Sequence, residues 1–95
     1  MGTRYSAVFY STPDFDPSPL SSALYDAVAR VDAQMSAWKP DSHINRLNAA
    51  QIGTWVDVPR ELMAVLAASL RVERASGGAF NIGVGDLVSA WNFGP

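Results

Sequence analysis

The chain has 95 residues and a net charge of −2, and its few scattered cations offer no basic face for nucleic acid. It has no cysteine, which excludes disulfide frameworks and thiolate metal sites, and no apolar run approaches the ~20 residues of a membrane span. A chain this short builds a modest core, yet 48% of its residues are hydrophobic and three are tryptophan; some of that apolar surface is expected to meet a partner, and the chain reads as a piece of something longer.

Residues Thr3 to Tyr10 alternate, with Thr3, Tyr5, Ala7 and Phe9 opposing Arg4, Ser6, Val8 and Tyr10. β-branched and aromatic residues in that period predict a strand. The opening Met1–Ser6 also fits the loose rule for N-myristoylation, but its alternation favours the structural reading. Residues 12–17 form a proline-rich turn. Ser18-Pro19 then supplies an N-cap and a first-turn proline. The stripe Leu20, Ala23, Leu24, Ala27, Val28, Val31 and Met35 predicts a helix to about Ser36, and Pro40 prevents its continuation.

Asp41 or Ser42 caps a short second helix, with Ile44 and Leu47 facing inward and Asn45, Arg46 and Asn48 facing elsewhere. Gly53 breaks it. Thr54–Val58 reads as a short strand. Pro59 opens a helix with the stripe Leu62, Val65, Leu66, Ser69 and Leu70, ended by Gly77-Gly78. Residues 80–84 are extended or turning, and Asp86–Trp91 forms a last short helix. The expected fold class is α/β (α+β), a mixed sheet flanked by helices in one layered domain.

Three stretches carry more than core-building, the opening "MGT" and two longer ones. In "MSAWKPDSHINRLN", residues 35 to 48, a large aromatic occupies what should be a polar connection. By residue type alone Trp38 is a rim residue of the core, and Lys39, Asp41 and Ser42 form a solvated cap. A general base needs a positioned partner, and none is legible for His43, the only histidine of the chain. Asn48 either caps its helix or orders the neighbouring loop by bonds to backbone. In "SGGAFNIGVGDLVSAWNFGP", residues 76 to 95, four glycines fall within nine positions. They permit a close approach to backbone, although this spacing is no dinucleotide fingerprint. Asp32, Asp57 and Asp86 lack metal-ligand spacing.

Together these stretches are similar to a known family. "MSAWKPDSHINRLN" resembles the Met-Ser-x-(Tyr/Trp)-x-x-x-Ser-x-(Ile/Leu)-x-Arg-(Leu/Phe)-Asn signature of the ApbE family, the FAD:protein FMN transferases once called thiamine biosynthesis lipoproteins. "GGAFNIGVGDLVSAWNFG" resembles that family's Gly-Gly-x-Phe-Asp-x-x-Val-Gly-x-Leu-Val-x-x-Trp-Gly-Phe-Gly segment. The opening "MGT" matches as well, and the three occur in the family's order. The resemblance spans residues 1–95 and implies the N-terminal FAD-site portion of such an enzyme.

The resemblance implies an activity and partners. Members cleave FAD at its pyrophosphate and attach FMN to a threonine of a target flavoprotein, assisted by Mg2+; some instead hydrolyse FAD as pyrophosphatases. It implies that Met1 lies against FAD, that Trp38 packs on the flavin where many members carry Tyr, and that Ala79, Phe80 and Asn81 line the cofactor. Asn81 stands where Asp is common, which removes a charged acceptor. Asn92 replaces a glycine, and asparagine tolerates positive φ. The family's Mg2+ ligands fall outside this chain, so the 95 residues alone are expected to be inactive. Members are typically exported or membrane-anchored. A noncatalytic flavin-binding or interaction module is the reading from another class, and self-association through an uncovered apolar face is expected.

Overall fold

Four helices follow one another along the chain: α1 (Ser18–Met35), α2 (His43–Asn48), α3 (Arg60–Ala75) and α4 (Gly85–Ala90). The computed structural model describes residues 4–93. The start of α1 differs in detail from expectation. Pro17 occupies the N-cap, and the carboxylate of Asp16 accepts the Ser18 N–H at 2.9 Å. That bond holds the Asp16 carboxyl below its ordinary range, because an acceptor of backbone N–H is favoured in its charged form.

The expected mixed sheet is overturned: among the described residues there are no strands. An alternating segment becomes a strand only when a neighbour completes its hydrogen bonds. Residues 4–10 and 54–58 have the pattern and neither meets a pairing partner among the described residues. The pattern still marks the second segment, where Val56 and Val58 are half-buried while Trp55 and Asp57 face solvent.

α3 and α4 stop by the same device. After α3, Gly77 takes φ 61°, its N–H bonds Arg74 O, and Gly78 N–H bonds Glu73 O. After α4, Asn92 takes φ 57°, its N–H bonds Ser89 O, and Phe93 N–H bonds Val88 O. Both are Schellman closures, and the second uses the asparagine tolerance that the sequence suggested.

The helices enclose little. Leu62 is the one buried apolar residue among those described, and the other buried residues are Gln34, Ser36 and Ser42. The radius of gyration is 17.2 Å, against about 12 Å for a packed domain of this length. α1 and α2 form the main helix pair. Apolar side chains such as Val8, Tyr10, Ile52 and Trp55 stand fully exposed.

Candidate functional site

The turn between α1 and α2 is buried at both ends and exposed at its tip. Ser36 and Ser42 lie inside the protein, while Trp38 keeps 66% of its surface free. The indole is not inserted into the hydrophobic interior; it stands out from a loop whose feet are fixed.

Five sets of contacts fix it. The Asn45 amide donates from Nδ2 to Ala37 O and to Lys39 O, both at 2.8 Å, and so holds the carbonyls on either side of Trp38. Ser42 N–H donates to Lys39 O at 3.0 Å. The Ser42 hydroxyl in turn accepts the Asn45 N–H at 3.2 Å as the N-cap of α2. Lys39 reaches back to Asp32 on α1, with Nζ 2.6 Å from the carboxylate. His43 Nδ1 stands 3.4 Å from Ala33 O, further tying the start of α2 to α1.

The ion pair shifts both of its members. The Asp32 carboxyl is held down at about 2, with the hydrogen bond from Lys39 the largest of several causes, and the same bond raises Lys39 above its ordinary value. Both stay charged through the neutral range, so the tether between turn and helix persists there.

Trp38 borders a concavity of about 790 Å³, whose other walls include Leu62 and Leu66 of α3 and the segment Ile82–Asp86. That size falls in the range of small-molecule sites. A shallower depression of about 410 Å³ is bounded by Arg60, Glu61 and Ala64, all from α3, and has no opposing wall. The larger concavity is therefore the candidate site.

The expected site residues are distributed unevenly around it. Trp38 borders it. Ala79, Phe80 and Asn81 are exposed and immediately precede the wall-forming residues 82–86 without joining the wall. Met1 lies outside the described residues. Asn81 acts locally. Its Oδ1 accepts the Gly83 N–H at 2.7 Å, an Asx turn that bends the chain toward the concavity. A carboxylate oxygen would accept the same bond, so the turn is served by either residue. A Cβ on Gly83 would lie 3.1 Å from that oxygen, which makes glycine the residue that fits. Ser76 closes the other side of this loop by accepting the Phe80 N–H at 3.0 Å.

Sequence reasoning missed Asn45. It was expected to face away, with Asn48 as the candidate for ordering the loop. Asn45 is half-buried and does the bracing, and both Asn45 and Asn48 border the concavity. The available signal was its place three residues after the cap, where an N3 side chain is directed back over the preceding turn. Among the described residues no three His, Cys, Asp or Glu stand together to hold a metal ion.

Comparison with known proteins gives a consistent result. The sequence model of the ApbE family matches residues 1–95. The chain is similar to the FAD:protein FMN transferase of Haemophilus influenzae, 36% identical over 66 residues that cover 68% of this chain and 19% of that protein. It is 29% identical over 96 residues to the FAD:protein FMN transferase of Vibrio cholerae, covering 100% of this chain and 29% of that protein. Against that of Escherichia coli it is 32% identical over 99 residues, covering 100% and 27%. Among solved structures it resembles the flavinyl transferase ApbE of Pseudomonas stutzeri in its apo form, with a TM-score of 0.81 and 27% identity over 90% of this chain and 28% of that one. The chain spans less than a third of the length of these relatives.

Proposed function

The chain belongs to the ApbE family, and on that premise we propose that residues 1–95 form the N-terminal FAD-site portion of an FAD:protein FMN transferase. The observation that carries this reading is Trp38, an exposed aromatic on a braced turn at the edge of a concavity of about 790 Å³. A flat face held rigid in solvent costs surface energy unless something flat covers it. The isoalloxazine ring of FAD is such a group. The walls at Leu62, Leu66 and Ile82 are apolar, and the backbone at Gly83 and Gly85 admits close approach. These residues fit a flavin, and FAD is here a substrate.

In the proposed reaction a threonine hydroxyl of the target flavoprotein attacks the phosphorus on the FMN side of the FAD pyrophosphate. The new phosphoester bond forms, the bond to the AMP oxygen breaks, AMP leaves, and the hydroxyl proton passes to a base. The residues of this chain act before that step. Trp38 and the apolar walls bind the ring and fix its direction, which places the pyrophosphate relative to the acceptor. When bound, Mg2+ supplies charge neutralisation on diphosphate oxygens. The described residues offer it no ligand cluster, so no step through the metal is assigned to them.

The test uses the full-length protein with FAD, Mg2+ and a target flavoprotein. The expected result is FMN covalently bound to an acceptor threonine with release of AMP. Free FMN and AMP without any protein-bound flavin would replace transfer by hydrolysis. FAD bound and returned intact would reduce the protein to a flavin-binding module.

A further inference from the structure

We infer that Asn45 is the positioning residue for Trp38: its side-chain amide grips the two backbone carbonyls that bracket the tryptophan and so aims the indole at the flavin. The inference rests on the proposed FAD site and deepens it. Nδ2 lies 2.8 Å from Ala37 O and 2.8 Å from Lys39 O. Both partners are acceptors, so only the donor end of the amide can face them, and both of its hydrogens are used. Asn45 is itself held from behind, because its N–H is capped by the Ser42 hydroxyl at 3.2 Å and Ser42 is buried. The brace therefore runs from a buried cap, through one side chain, to the peptide units on either side of Trp38.

The rest of the turn cannot substitute for it. Lys39 is anchored to Asp32 through a long side chain, which fixes the distance between turn and α1 but not the orientation of the peptide before Trp38. Ser42 N–H reaches only Lys39 O. The Ala37 carbonyl depends on Asn45 alone among the described contacts of this turn. The indole, two-thirds exposed, takes its direction chiefly from the backbone that carries it.

Asn45→Asp is the sharpest perturbation. It preserves shape, removes both donors and sets carboxylate oxygens against two carbonyls. Asn45→Ala removes the amide with no added charge and serves if the aspartate variant does not fold. In full-length protein with every tryptophan other than Trp38 replaced by Phe, Trp55 and Trp91 included, time-resolved anisotropy reports the local motion of Trp38. Both Asn45 variants should raise the amplitude of its fast component. KM for FAD should rise about tenfold, the scale set by two lost hydrogen bonds. In a Trp38→Ala background the same Asn45 substitutions should leave KM for FAD where Trp38→Ala alone puts it, since a residue acting through another adds nothing once that other is gone. Unchanged anisotropy would overturn the inference, and so would an equal rise in KM with and without Trp38. Failure of the unaltered protein to bind FAD would instead sink the functional reading; the anisotropy of Trp38 still decides whether Asn45 positions it.

Discussion

Truncating Trp38 separates a ligand-facing aromatic from a structural one, because the two predict losses in different places. Trp38 is 66% exposed. A fully buried tryptophan removes up to about 250 Å² from water, so the protein covers roughly a third of that, about 85 Å², worth ~2 kcal/mol at 25 cal/mol per Å². Alanine retains part of this contact and the extended-chain reference overstates it. Trp38→Ala should therefore cost about 1–2 kcal/mol of stability in the absence of ligand, against ~3–5 kcal/mol for a buried aromatic. Stacking on a flat heteroaromatic ring contributes about 1–3 kcal/mol per ring, so FAD affinity should fall roughly 5- to 150-fold. Trp38→Tyr keeps a flat face and should bind FAD nearly as well as the unaltered protein. The assay is thermal unfolding and FAD titration on both variants of the full-length protein. A stability loss above ~3 kcal/mol with unchanged affinity in the folded fraction would refute the reasoning.

Three further outcomes follow from the same structure. Because the Asp32 carboxyl is depressed to about 2, its pairing with Lys39 contributes stability above the unfolded carboxyl range near 3.9 and loses it as pH falls through about 2; carboxyl NMR titration should show this, and Lys39→Met should return Asp32 toward an ordinary value. Ser42→Ala removes the cap of α2 and should cost about 0.5–2 kcal/mol in urea unfolding, with no loss at all contradicting the capping role. The fully exposed Val8, Tyr10, Ile52 and Trp55 should make the 95-residue chain bind an apolar dye and self-associate, whereas a dye-silent monomer at high concentration in sedimentation would argue against an uncovered apolar face.

The helices were legible because their signals are local. Pro19, the stripe from Leu20 to Met35, and Gly77-Gly78 act within a turn or two of themselves, and the structure obeys them. Sheet was misread because pairing is not a local property. Residues 4–10 carry the alternation of a strand, but the hydrogen bonds that would make them one depend on a neighbour that the described residues do not supply. At the candidate site, the prominence of Trp38 was visible in its placement in a connection, whereas its brace was not. The place of Asn45 three residues after the Ser42 cap is a local signal, but which carbonyls its amide reaches depends on how α2 is set against α1 through Lys39 and His43.

Every bond that fixes the Trp38 turn joins residues close together in sequence: six and eight positions apart for the two Asn45 bonds and ten for His43 with Ala33. Loops this short close with little entropic penalty, on a timescale of tens of nanoseconds. The segment from α1 through α2 thus has the makings of an early folding unit, complete as soon as Asn48 leaves the ribosome and indifferent to the order in which distant partners arrive. A turn held that way takes its shape from its own neighbourhood, independently of the α3 and Ile82–Asp86 walls that face it across the concavity.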